Sequence, residues 1–212
     1  MNELKQVLLK LKITRKRFKF PLTEKQTEDV LLAAYQAETE YRHRSFLYDE
    51  NTKKNITNVA KFLTDENKRF GVILMGLSGN GKTTMLYAIR NAINYLNGIN
   101  LFEDSSQVGL QVIDAKETAA YAKNIDNFRA LKNRPMLAIE DIGREPTEVL
   151  DFGNVLNPVI DLIEHRYDEQ LFTIVTTNLN PTEIRSKYGA RLADRFNEMF
   201  EPIVFKNKSY RK

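Results

Sequence analysis

The chain has no cysteine among its 212 residues. Disulfides, thiolate zinc sites and cysteine nucleophiles are therefore excluded, and a reducing cytoplasm is the expected setting. Apolar residues never run to the length of a membrane-spanning helix. The opening stretch MNELKQVLLKLKITRKRFKF lacks the smooth apolar core and small-residue cleavage site of a secretory signal. Asn55-Ile56-Thr57 spells a glycosylation triplet, which carries no meaning without secretion. Histidine is scarce: His43 and His165 are the only two, and neither has a second ligand-type neighbour at metal spacing. Both are expected to be structural.

Hydrophobic residues make up 42% of the chain, enough for one globular domain with a small appendage. The net charge of +4 is modest but uneven. Residues 1–20 carry Lys5, Lys10, Lys12, Arg15, Lys16, Arg17 and Lys19 against Glu3, a net of +6, which leaves −2 over the rest of the chain. The basic excess is an arm. Phe18 and Phe20 interleave with it. Two readings stand: contact with nucleic acid, cations on phosphates and rings on bases, or a solvated tail with some core anchors.

Thr23 and Gln26 fit a capping box that opens a helix to about residue 44. A second helix is expected over 53–64, with Ile56, Val59, Ala60 and Leu63 on one face. From residue 70 the texture changes. Apolar, β-rich runs at 70–75, 110–114, 135–140, 171–176 and 202–205 alternate with helical patterns at 83–97, 114–123, 157–167, 181–187 and 190–198. Strands apolar on both faces imply a parallel sheet covered by helices.

Directly after the first strand comes GLSGNGKTT, with Gly76, Ser78, Gly79, Asn80, Gly81, Lys82, Thr83 and Thr84. This is the G-x-x-x-x-G-K-[ST] phosphate loop. Its glycines let backbone N–H groups turn around phosphate oxygens. The helix that follows points its positive end at the same place. Lys82 can reach the β- and γ-phosphates, and the Thr83 hydroxyl can ligate Mg²⁺. A dinucleotide fingerprint and a nucleophile elbow both fail on the letters. No guanine-reading [NT]-K-x-D occurs, since Asn207-Lys208-Ser209 is followed by Tyr210.

MLAIEDIG, residues 136–143, ends a strand in two acids, Glu140 and Asp141. A magnesium nucleotide needs one carboxylate near the metal and a group that orients water. By position Glu140 takes the metal side and Asp141 the water side. Successive strand residues face opposite ways, so the two are not expected to exchange places. Asp is one methylene shorter than Glu, and a base misplaced by about 1 Å costs on the order of a hundredfold in rate. Slow intrinsic hydrolysis is the expectation. Asn178, at the tip of LFTIVTTN, can hydrogen-bond the attacking water or the γ-phosphate, although asparagine after a strand is also ordinary turn chemistry. In YGARLADRF, Arg191 and Arg195 lie four apart on one helical face. They suit either a neighbouring subunit's nucleotide or surface salt bridges.

GLSGNGKTT, LAIEDIG, FTIVTTNLNP, YGARLADRF and the terminal KSYRK together resemble the DnaC-type bacterial helicase loaders. Those are AAA+ ATPases related to the IstB-type helper ATPases of insertion sequences. The resemblance covers about residues 55–212. It implies a P-loop NTPase of the AAA+, ASCE type: a three-layer α/β fold with a parallel sheet, no C-terminal lid and a short helical N-terminal extension. It assigns Lys82 and Thr83 to Walker A and Glu140 and Asp141 to Walker B, in reversed Glu-Asp order. It assigns Asn178 to sensor 1, Arg195 to the arginine finger and Arg211 to sensor 2. The implied cofactors are ATP and Mg²⁺. The implied division is 1–50 as basic arm and helical partner-binding region, and 51–212 as ATP-binding domain.

The implied function is loading of a replicative hexameric helicase onto single-stranded DNA, with nucleotide-dependent self-assembly. Alternatives are a transposition helper acting on target DNA, a non-catalytic nucleotide switch and a small-molecule P-loop kinase. The kinase reading lacks its arginine-rich lid segment.

Overall fold

The computed structural model describes residues 16–102, 109–151 and 154–210. The basic arm up to Arg15 and the sensor 2 candidate Arg211 lie outside them.

Two helices come first, α1 (Glu24–Tyr41) and α2 (Glu50–Thr64). Thr23 and Gln26 form the expected capping box on α1, and the Asp49 side chain caps α2 by accepting from Thr52 N. Then follow β1 (Gly71–Gly76), α3 (Lys82–Gly98), β2 (Gln111–Asp114), a 3₁₀ turn (Ala115–Glu117), α4 (Thr118–Ala122), α5 (Ile125–Lys132) and β3 (Met136–Ile142). A hairpin of β4 (Val149–Asp151) and β5 (Asn154–Leu156) leads into α6 (Pro158–Asp168), β6 (Phe172–Thr177), α7 (Pro181–Met199) and β7 (Phe200–Phe205). Among the described residues no helix is long and apolar enough to cross a membrane.

Five strands form one parallel sheet in the order β2-β3-β6-β1-β7. Its central strands, β3, β6 and β1, are buried on both faces, and their period-2 alternation divides the core in two. Val72, Leu74, Ala138 and Ile174 face one layer, where α1, α2 and α3 pack. Ile73, Met75, Leu137, Ile139 and Val175 face the other, covered by α5, α6 and α7. The expected strands are all present, each within two residues of its expected ends. Helix α5 and the β4–β5 hairpin were not expected, and α7 runs through both segments expected as separate helices.

The N-terminal segment is part of this body. Phe20, Leu31 and Tyr35 are buried in the same cluster as β1 and α3. Phe18 packs its ring 4.7 Å from that of Phe172. Phe18 and Phe20 are therefore core anchors, and their rings are not available for stacking on bases. Arg17 lies over the Phe70 ring, and Lys19 pairs with Glu66. The packing shows no break at residue 50.

Candidate functional site

The ends of β1, β2, β3 and β6 open on one edge of the sheet. β1 feeds the phosphate loop, β2 ends at Asp114, β3 at the acid pair and β6 at Asn178. This carboxyl edge is where parallel α/β sheets bind ligands.

Lys82 opens α3 and is only 5% exposed. Its ammonium donates to the carbonyls of Gly76 (2.6 Å) and Leu77 (2.8 Å), to Asn80 Oδ1 (3.2 Å) and to Asn178 Oδ1 (2.8 Å). The last bond brings together two residues 96 positions apart. The first turn of α3 has neither a side-chain cap nor an acid. Its orphan N–H groups, the helix dipole and the Lys82 charge all favour an anion there. Gly81 takes φ 96°, and a Cβ there would lie 2.3 Å from the Tyr35 hydroxyl. The loop thus needs glycine at this position because α1 presses on it.

The loop is also braced from the C-terminal side. Asn80, almost fully buried, donates to the Phe205 carbonyl (2.8 Å), and Asn207 donates to the Asn80 carbonyl (2.9 Å). The Tyr210 N–H donates to the Gly79 carbonyl (2.9 Å). The Tyr210 hydroxyl reaches both Asp49 oxygens at 3.0 Å. Burial pushes the Asp49 carboxyl up, but hydrogen bonds from Thr52, Tyr210 and Asn51 hold it below its usual range. Asn80 and Thr84 are buried, so Asn80 serves the loop's shape through its side chain.

Glu140 is half-buried, with the Thr83 hydroxyl near enough to favour its ionised form. Burial raises its pKa; the Thr83 hydroxyl and the Arg42 charge oppose the shift, while Asp141 and Asp114 add to it. A hydroxyl and a carboxylate near one another beside an anion cradle form a suitable oxygen donor pair for Mg²⁺.

The strict alternation expected for the two acids does not hold. Between the pairs Ile139–Val175 and Ile142–Thr177, β3 advances three residues while β6 advances two. That is a β-bulge, and Asp141 sits in it at φ 57°. The Thr176 hydroxyl accepts from Asp141 N (2.9 Å), and the Thr177 hydroxyl donates to the Ile142 carbonyl (2.7 Å). Arg144 Nη1 holds Asp141 Oδ2 at 2.6 Å.

No protein-family model matches the chain. It is 24% identical over 169 residues to the replicative helicase loader DnaI of Bacillus subtilis (strain 168), 71% of this chain and 50% of that protein. The chain thus spans about half the length of that curated relative. Among solved structures it resembles the DnaC helicase loader (TM-score 0.59, 20% identity, 76% of this chain and 94% of that one). It also resembles DnaI (TM-score 0.59, 21% identity, 87% and 93%). AMPPCP-bound DnaA from Aquifex aeolicus superposes less fully (TM-score 0.51, 18% identity, 77% and 49%).

The chain has the AAA+ fold of the DnaC-type helicase loaders. Against the motifs that the resemblance to those loaders assigns, Lys82, Thr83, Glu140 and Asn178 converge in this structure, and Asp141 adjoins them on the bulge. Arg195 does not join them. It lies on α7 over the Tyr167 ring (5.0 Å), paired with Glu164 (3.2 Å) and Asp168 (3.8 Å), and is 17% exposed. Arg191 shares Glu164 and is 75% exposed. Sequence reading missed Arg42, Asp114, Thr176, Glu145 and Tyr210. Asp114 alone had a visible signal, an acid at a strand end. The others act through contacts made by the fold.

Proposed function

We propose that this chain is a magnesium-dependent AAA+ ATPase that loads or remodels a replicative hexameric helicase on single-stranded DNA, assembling with further copies of itself when nucleotide is bound. The observation that carries the reading is the convergence of Lys82, Thr83, Glu140 and Asn178 around an uncapped helix start. Similarity to DnaI turns it toward helicase loading.

In this reading the amides of Gly79–Thr83 and the Lys82 ammonium hold the triphosphate. Thr83 and Glu140 are the residues that would hold magnesium, which would supply charge neutralisation to the triphosphate. Asn178 orients the γ-phosphate or the attacking water, and Asp141 accepts the proton of that water. Arg195 and the more exposed Arg191 are the cations offered across a subunit interface, and Arg211 reads the γ-phosphate in its own subunit.

A second reading, a slowly hydrolysing nucleotide switch, has one observation in its favour. Asp141 is tied to Arg144 and displaced by the bulge. ATP turnover separates the two, with Lys82→Ala as the zero. A clear wild-type rate that rises several-fold in Asp141→Glu supports the ATPase with a short base. A wild-type rate equal to Lys82→Ala supports the switch. Capture of the replicative helicase with an ATP analogue but not with ADP tests the loader role. Capture of a transposase instead would move the function to transposition.

A further inference from the structure

Four residues past Asp141, Glu145 is 3% exposed, and no step above uses it. A carboxylate that deep is costly unless donors surround it. Here they do. Gly143 N donates to Oε2 at 2.9 Å, and the Tyr188 hydroxyl donates to Oε1. Lys187 donates to the Glu145 carbonyl at 2.6 Å, with its ammonium 3.8 Å from Oε1. Burial and then the Glu145 bond push the Tyr188 phenol up, so it stays a donor. One carboxylate thus joins the turn that follows Asp141 to the middle of α7, 43 positions along the chain.

The place it grips on α7 is a joint. Gly189, the next residue, has φ 86° and ψ 165°, well outside helical values. Beyond it the helix resumes with Arg191 and Arg195, held to α6 by Glu164 and Asp168. On the near side, the backbone of Asp141 and Ile142 is fastened to β6 by Thr176 and Thr177. A movement of the Asp141 turn therefore has a direct route into the arginine segment through the Glu145–Tyr188 bond, and Gly189 allows that segment to turn.

We infer that Glu145 is a positioning residue: a buried clasp that passes the nucleotide state of the Glu140–Asp141 turn to the Arg191–Arg195 half of α7. The inference rests on the reading of this cradle as a nucleotide site. It gives the full chain a way to present its arginines to a second copy only when its own site is filled.

Amide hydrogen exchange on the full chain tests it, with and without a non-hydrolysable ATP analogue plus magnesium, in wild type, Glu145→Gln and Tyr188→Phe. Wild type should show slower exchange both at the phosphate loop, 76–84, and across 190–199, by about threefold or more. Both variants should keep the protection at 76–84, which shows that they fold and bind, and lose the nucleotide-dependent change at 190–199. A merely structural role would loosen 190–199 equally in both states and leave the difference intact; that result overturns the clasp. So does a wild-type chain protected at 76–84 but unchanged at 190–199. Absence of protection at 76–84 in wild type would instead remove the nucleotide reading, and the clasp with it.

Discussion

Lys68 lies between α2 and β1 with its ammonium buried, without a hydrogen-bond acceptor and 4.6 Å from the centre of the Phe62 ring. Burial lowers its pKa from the ordinary 10.5 to about 7, with Asp65 opposing and Lys19 adding to the shift. Between those two values the unfolded chain holds a proton that the folded chain has released. The unfolded state then binds more protons, so stability rises with pH over that window. Below about pH 7 both states are protonated, and the folded state carries the full penalty of a buried charge, partly offset by the ring. Lys68→Met keeps the stem and removes the charge. It should raise unfolding free energy at neutral pH by about 1–3 kcal/mol and flatten its rise between pH 7 and 10. Urea melts at three pH values measure both; an unchanged slope would show that Lys68 titrates normally. Residue-scale reading has a general limit here. The phosphate loop is a local code, so Lys82 and Thr83 were legible. The bulge at Asp141 and the burial of Glu145 arise from contacts with β6 and α7 far along the chain, and no local pattern announces them.

At the scale of elements, the sheet was legible because each strand is a short apolar run whose alternate residues serve two cores. Ile73 and Leu74 already belong to different ones. Helix α5 escaped notice because its eight residues bury only Phe128 and Leu131, too few to set a period. Hairpin β4–β5 escaped because Leu150 and Val155 stay exposed, leaving no inward pattern. The gap expected between helices at 181–187 and 190–198 is real but narrower: it is the single joint at Gly189. No atom lies within 4 Å of a methyl built there, so any cost of Gly189→Ala is backbone conformation alone. The substitution should destabilise the fold by about 1–3 kcal/mol, read by urea denaturation. Gly98→Ala is the matched control, since its surroundings are equally open and its φ is not positive. It should be neutral or slightly stabilising. Equal effects at both positions would mean that α7 relaxes at no cost and that Gly189 is not a joint.

For the whole molecule, the division at residue 50 decides how partner binding can be studied. Phe20 and Leu31 are fully buried and Tyr35 is 5% exposed, all in the core shared with β1 and α3. Burial of such side chains stabilises a fold by about 1.5–3 kcal/mol each. Asp49 adds a helix cap of about 1 kcal/mol and the contact that holds Tyr210 against the phosphate loop. Together these approach the whole 5–15 kcal/mol margin of a typical domain. Removal of residues 1–50 should therefore cost the nucleotide site as well as any partner contact, and loss of helicase capture in that truncation would say nothing about where the helicase binds. Removal of residues 1–15 leaves every described contact of Phe18, Phe20, α1 and Asp49 in place. That chain should melt within a few degrees of the full one and bind nucleotide equally. If capture is lost in it, the basic arm holds the partner. If capture survives, the grip lies on the folded body, where Tyr41, Leu47 and Tyr48 present exposed apolar side chains beside α1.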